Sequence, residues 1–290
     1  MQKMSKRRKL YHCLCLWLIP TALLVWWPLW FLCTGALMSQ EELRLTIGPA
    51  LGLGSGYATW HWLPAWPTLE PLLTLLLDTP QFFVMFWNSI EQAVAQVAGN
   101  LLVGAPAAWA ISRLRFRGRG VIRGLYIVLM LLPFQVTMVP NYLVLRQFGL
   151  LDTPWAIILP GIFSTFPVFI MERGFDAIPR EILESASIDG ANQWQRFWHI
   201  GIPLGMPGLV SALTLGFLDA WNAIEQPMTF LKSPQYWPLS LFFTDPANLD
   251  TKQLGLAMAA SLWMLLPSIL AFRFGQTYLE AGLTTGAVKG

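Results

Sequence analysis

Four amides, Asn88, Gln92, Gln96 and Asn100, recur every fourth residue through one long apolar run, with Glu91 beside the first. At 3.6 residues per turn this spacing lays one slowly drifting polar stripe along a single helix face. In hydrocarbon, a polar group faces protein or a water-filled path. The stripe therefore either joins packed helices, at about 0.6 kcal/mol per amide, or lines a hydrophilic route for a solute. A second set, Asp219, Asn222 and Glu225, recurs every three residues around Trp221. Such a set suits a sugar, whose hydroxyls take hydrogen bonds while the pyranose face stacks on the indole. Charge pairing with a partner subunit accounts for it equally well. Gln135 and Asn141 add polar groups to a stretch where Pro133 and Pro140 kink the helix and free backbone carbonyls.

Other chemistry is missing from the chain. His12, His61 and His199 are scattered, and Cys13, Cys15 and Cys33 fall in one apolar run without zinc or redox spacing. Thiols in such a run act as small apolar residues. Gly52-x-Gly54-x-Gly56 lacks both a following Lys-Ser/Thr and a preceding strand, so it reads as a flexible turn. No Gly-x4-Gly-Lys-Ser/Thr phosphate loop occurs anywhere. With no nucleophile beside a base and no metal cluster, neither a catalytic site nor a cofactor site is expected.

The elements that must position these residues follow from composition. Of 290 residues, 55% are hydrophobic and only 12% charged, with 15 Trp and 18 Phe. A soluble domain carries about a quarter charged residues. Mean hydropathy is +0.50. An all-α integral membrane protein is expected, and nucleic-acid binding is excluded. Apolar runs fall at about 10–37, 82–111, 121–145, 155–175, 204–226 and 255–275, each long enough for one span. The first follows Lys3, Lys6, Arg7, Arg8 and Lys9 and reads as an uncleaved signal anchor. With the N-terminus inside, the inner loops hold all but Arg44, Arg146, Lys232 and Lys252 of the 19 basic residues. That bias sets six spans with both termini cytoplasmic. Residues 1–81 then comprise the cytoplasmic end, the anchor helix and an external loop, in which the apolar Leu69–Leu77 lies along the membrane surface or packs on neighbouring helices. Residues 82–290 form the transport core.

One cytoplasmic loop, 176–203, has a pattern of its own. Pro179 suits a first helical position, and Glu181 and Glu184 complement a helix N-terminus. Asp189-Gly190 stops that helix, with the glycine free to turn left-handed. Asn192 and Gln195 have capping-box spacing for a second helix. Trp194, Phe197 and Trp198 then lie on one apolar face, which requires a partner.

Within this loop, Glu184-Ser185-Ala186, Gly190 and Ile200-Gly201-Ile202-Pro203 fit the pattern E-A-A-x3-G-x9-I-x-L-P, with Ser185 for alanine and Ile202 for leucine. The sequence thereby resembles the permease subunits of binding-protein-dependent ABC importers. It is most similar to the carbohydrate branch, of the maltose-type second permease subunit, over roughly 80–290. Asn88-Ser89, Gly149-Leu-Leu-Asp152-Thr153, Ile188-Asp189-Gly190-Ala191 and Thr285-Gly286-Ala-Val-Lys289-Gly290 carry this further likeness.

The resemblance implies a type-I importer permease fold in the bacterial cytoplasmic membrane. Glu181, Glu184, Ser185, Ala186, Asp189, Gly190, Trp194, Ile200 and Pro203 become the residues that dock the loop against an ATP-binding subunit. Expected partners are a second homologous permease, two ATP-binding subunits carrying ATP and Mg, an external solute-binding protein, membrane lipid and a sugar. Asn88, Glu91, Gln92, Gln96, Gln135, Asn141, Asp219, Trp221, Asn222 and Glu225 are the expected substrate path. A glycerol phosphate or polyol cargo is the alternative, and an ion-coupled secondary transporter a more distant one. The basic residues of the apolar runs, Arg123, Arg173 and Arg273, sit at their ends and leave none in the membrane interior, which favours a neutral sugar.

Overall fold

The computed structural model describes residues 2–51, 56–59, 61–242 and 254–287, side chains of 2–15, 51 and 281–287 excepted. The side chains of the basic cluster Lys3–Lys9, of Cys13 and Cys15 and of Thr285–Ala287, together with most of the glycine-rich turn, Lys252 and residues 288–290, lie outside what is described. Among those described, all regular structure is helical. Five helical stretches are long and apolar enough to cross a membrane, and a sixth qualifies if a bent pair counts as one span.

The chain forms two compact units, Met1–Phe82 with Phe243–Leu265, and Phe83–Phe242 with Leu266–Gly290. The first holds α1 (Gln2–Gly35), α2 (Gln40–Thr46) and α3 (Glu70–Leu73). Leu16, Trp17 and Trp26 on α1 are exposed, Trp26 by 67%, a surface that only hydrocarbon solvates without cost. The Ser39 hydroxyl caps α2 by accepting from Glu42 N at 3.3 Å. The external loop is tied down by Trp30 Nε1 donating to Trp62 O (2.9 Å) and Ala65 N donating to Glu42 (2.7 Å). The Leu69–Leu77 stretch is α3 followed by one π turn, with Pro71 and Leu75 buried.

The remaining helices are α4 (Pro80–Arg113), α5 (Arg119–Leu131), α6 (Phe134–Gln147), α7 (Trp155–Ile162), α8 (Thr165–Asp176), α9 (Arg180–Ile188), α10 (Gln193–Arg196), α11 (Ile202–Asn222), α12 (Glu225–Phe230) and α13 (Leu254–Ala287). At 1.5 Å per residue, α4 is about 50 Å long and overreaches the ~30 Å hydrocarbon layer.

The expected kink in the third span is a break. α5 and α6 meet at 105°, because Leu132 is held extended (ψ 125°) by the ring of Pro133. Pro140 stays inside α6. The fourth span is also divided, at Phe163–Ser164, which periodicity does not reveal. Pro203 does not end an element. A π turn at Phe197–Gly201 carries α10 into α11, absorbing the gap that the missing Pro203 N–H would leave in the ladder.

Trp109, Val168, Met171, Phe175, Phe197 and Leu209 form one core of the second unit. Leu145, Ile157, Phe230 and Leu231 form another.

Candidate functional site

The loop between the fourth and fifth spans folds as two helices joined by a tight reversal. Pro179 precedes α9 in an extended conformation (ψ 139°), one position earlier than its sequence context suggests. At the other end, Gly190 takes φ +84°. Gly190 N donates to Ser187 O at 3.2 Å and Ala191 N to Ala186 O at 2.9 Å. These are the two bonds of a Schellman motif. The Ala186-x3-Gly190 spacing is thus the spacing between the carbonyl that the reversal must satisfy and the residue that must turn left-handed. Asn192 and Gln195 then form a reciprocal capping box, at 2.8 and 2.9 Å, as their spacing predicts.

The aromatic face divides. Phe197 is buried and packs on Trp109 and Phe175, with ring centroids at 5.8 and 6.2 Å. Trp194 and Trp198 lean on Phe197 and remain 64% and 58% exposed. Ile188 is 87% exposed at the tip. Glu181, Glu184, Ser185, Asp189 and Pro203 are exposed, whereas Ala186 and Ile200 are half-buried. Ser185 returns its hydroxyl to Ile182 O at 3.0 Å, which satisfies it within α9 where the pattern has alanine.

Three of the four amides in the polar stripe of α4, Asn88, Gln92 and Asn100, bond to backbone, and the Gln96 Nε2 is buried without a partner. Asn88 Nδ2 donates to Gln235 O and Trp237 O (2.8 and 3.0 Å), and Gln92 Nε2 to Tyr236 O (2.9 Å). Ser89 accepts from Leu239 N at 2.7 Å. Together they strap the segment after α12 onto α4. Asn100 Nδ2 donates to Ile162 O and Ser164 O at 3.0 and 3.1 Å, meeting carbonyls set free by the α7–α8 break. Glu91 is exposed on the same helix.

A cavity of about 1170 Å³ brings together Gln96 and Asn100 of α4, Thr137 and Asn141 of α6, and Asp219 and Asn222 of α11. Its lining is uncharged apart from Asp219. Gln135 and Glu225 meet each other, Nε2 donating to both carboxylate oxygens at 2.9 and 2.8 Å, and so tie α6 to α12. Trp221 is 1% exposed. It stacks on Phe217 (5.8 Å, 17°) and meets Phe86 edge-on at 6.0 Å, so in this conformation its ring packs on protein rather than facing the cavity.

Two arrangements escaped the sequence reading. Asp152, at φ +57°, accepts from Lys232 N and Ser233 N, both at 2.8 Å, and from the Ser233 hydroxyl at 2.6 Å. These donors, the hydroxyl first, hold its carboxyl below the usual carboxylate range. Arg123 pairs with Glu172 and Asp176, joining α5 to α8. The only signal for either was charge, at separations no periodicity links.

Comparison with known proteins accounts for this architecture. Over 233 residues, 79% of this chain and 82% of the relative, the sequence is 32% identical to the inner membrane ABC transporter permease protein YcjP of Escherichia coli K12. It is 31% identical over 232 residues, 79% and 83% of the two chains, to the diacetylchitobiose uptake system permease protein DasC of Streptomyces coelicolor. A subunit of a bacterial ABC transporter involved in import of the acidic polysaccharide alginate shares the fold, with TM-score 0.75 and 23% identity over 93% of this chain and 96% of that one. Residues 100–285, which contain the 178–203 loop and most of the cavity lining, match the family described as binding-protein-dependent transport system inner membrane component. The chain belongs to that family.

Proposed function

We propose that this chain is the membrane-spanning subunit of an ATP-driven importer that carries a sugar or oligosaccharide across the cytoplasmic membrane. Relatives named for transport of arabinooligosaccharides, diacetylchitobiose and lactose support a carbohydrate cargo. So does a cavity whose polar lining is amides, hydroxyls and one carboxylate, with no basic group. Asn141, Asp219 and Asn222 are the residues on that cavity best suited to sugar hydroxyls. Residues 1–81 serve as anchor and external loop, and 82–290 as the core, with both termini cytoplasmic.

The observation that carries the reading is the 178–203 loop. It is a rigid, doubly capped pair of helices whose exposed Ile188, Trp194 and Trp198 need a covering surface, and it runs unbroken into α11. A separate ATP-binding subunit, bearing ATP and Mg, covers it. The chain itself holds no cofactor and performs no hydrolysis. A second permease, a second ATP-binding subunit and an external solute-binding protein complete the assembly. Movement of the docked loop passes directly to α11, and across the α11–α8 contact to the fourth span.

Proteoliposomes containing the purified complex test the proposal. Labelled oligosaccharide should accumulate only with internal ATP and external binding protein. Accumulation driven by membrane potential without ATP contradicts it.

A further inference from the structure

Polar groups on the walls of the cavity between α4, α6 and α11 have spent most of their donors on backbone. The Asn100 amide nitrogen donates to both Ile162 O and Ser164 O. The Thr137 hydroxyl donates to Phe134 O at 3.1 Å, and Asn222 Nδ2 to Leu218 O at 2.8 Å. A carbonyl only accepts, so these bonds leave the Thr137 oxygen and Asn222 Oδ1 to meet an occupant, as acceptors. Gln96 Nε2 is buried and does not reach the space.

Asp219 lies one turn before Asn222 on α11, lines the same cavity and is exposed. Among the described residues nothing pairs with it, by ion pair or by hydrogen bond. Its ionised oxygens can only accept. No basic side chain stands on the walls to offset it. Backbone dipoles do not offset it either. At both breaks in the lining, α5 to α6 and α7 to α8, a helix C-terminus adjoins a helix N-terminus, and their opposite partial charges cancel. Asn141 and Gln226 supply neutral amides. The cavity is therefore rich in acceptors and holds one uncompensated negative charge.

We infer that Asp219 is the charge filter of this cavity, which admits saccharides that donate from hydroxyl or amino groups and rejects acidic saccharides and sugar phosphates. A hydroxyl or an ammonium gives Asp219 a charge-assisted hydrogen bond. A carboxylate or phosphate brings acceptors against acceptors and like charge against like, which weakens binding by about tenfold or more. The inference rests on the cavity being the cargo route. It adds the class of cargo that is excluded and the residue that excludes it.

Thiol labelling of the full complex tests the charge without any cargo. Ala223→Cys, and separately Asn222→Cys, places one reporter on the cavity wall of a complex otherwise free of cysteine. The readout is the rate with a cationic methanethiosulfonate over the rate with an anionic one, normalised to 2-mercaptoethanol. Asp219→Asn should lower this ratio about tenfold, and Asp219→Glu should keep it. Glu70→Gln, an exposed carboxylate outside the cavity, should leave it unchanged. A variant that only loosens the fold changes both rates together and leaves their ratio in place. In proteoliposomes, at concentrations that saturate the binding protein, Asp219→Asn should raise uptake of a uronate derivative relative to its neutral parent by a similar factor. A ratio indifferent to Asp219→Asn, an equal fall with Glu70→Gln, no reaction at either reporter, or unchanged discrimination against the uronate overturns the filter. An Asp219-dependent ratio in a complex that takes up no saccharide supports the filter and refutes the sugar reading instead.

Discussion

The backbones of Gly174 and Gly208 touch. A Cβ on Gly174 would lie 2.7 Å from the Cα of Gly208, and one on Gly208 would lie 2.5 Å from the Cα of Gly174. Gly174 is on α8, just before the 178–203 loop, and Gly208 is on α11, just after it. Small residues let membrane helices approach to backbone contact, where packing replaces the hydrophobic effect as the cohesive force. The loop is therefore mounted on two spans locked at a single crossing.

That contact leaves no room for a methyl group. Gly208→Ala should cost about 1–3 kcal/mol, the usual penalty for overpacking, and lower the Tm of the purified complex. Gly124→Ala, where a Cβ meets nothing within 4 Å, should leave it unchanged. Equal effects would show that the crossing is not tight.

Arg123 neutralises Glu172, which is 3% exposed. Arg123→Gln strands that carboxylate and should cost about 3–5 kcal/mol. Arg123→Leu with Glu172→Leu should recover most of the loss, because the buried carboxylate is removed with its partner and only Asp176, whose side chain is 31% exposed, is left unpaired. A double variant as unstable as the single one would show that the pair is not what joins α5 to α8. Thermal unfolding of the two variants decides it.

The Asp152 clamp depends on pH in a defined direction. Its folded pKa lies below the ordinary value of about 3.9. Its contribution is therefore complete above that ordinary value and is lost as pH falls through the lower, folded value. Hydrogen exchange at the Lys232 and Ser233 amides should stay slow from neutral pH to about pH 5, after correction for intrinsic rates. Asp152→Ala should accelerate both amides at every pH. Asp152→Asn, which tolerates φ +57° and still offers one acceptor oxygen, should do so less. Protection that fades between pH 7 and 5 would contradict the assignment.

Gly190 is constrained by its backbone, not by neighbours, since a Cβ there meets nothing within 4 Å. Gly190→Asn should therefore retain most uptake, whereas Gly190→Val should cost about 1–2 kcal/mol in the reversal and separate ATP hydrolysis from uptake. Comparing transport per ATP hydrolysed in the two variants distinguishes this from a steric role, in which both would fail together.

Much of this was legible in the sequence. Local rules located the capping box at Asn192 and the αL turn at Gly190, because both depend on neighbours within five residues. A kink at Pro133 followed from the proline itself, whereas its sharpening into a 105° break did not. Long-range pairing was not legible. Arg113 and Arg123 read as topological charge, yet one closes the end of α8 and the other pairs with Glu172, 49 residues away. Trp221 read as a stacking surface for a sugar, because spacing places it among polar groups. Its rings of contact, Phe86 and Phe217, come from tertiary packing that periodicity does not encode. Asn100 read as one step of a stripe, and its purpose emerged only with the α7–α8 break that it bonds.

The central claim is that the loop tip is gripped by an ATP-binding subunit, and cross-linking measures this directly. With Cys13, Cys15 and Cys33 replaced by serine, a single cysteine at Ile188 should form a disulfide with a cysteine introduced in the ATP-binding subunit, while one at the exposed external Tyr57 should not. Cross-linking at 188, altered by ATP and absent at 57, is the result this account predicts. Cross-linking at 57 with none at 188 would contradict it.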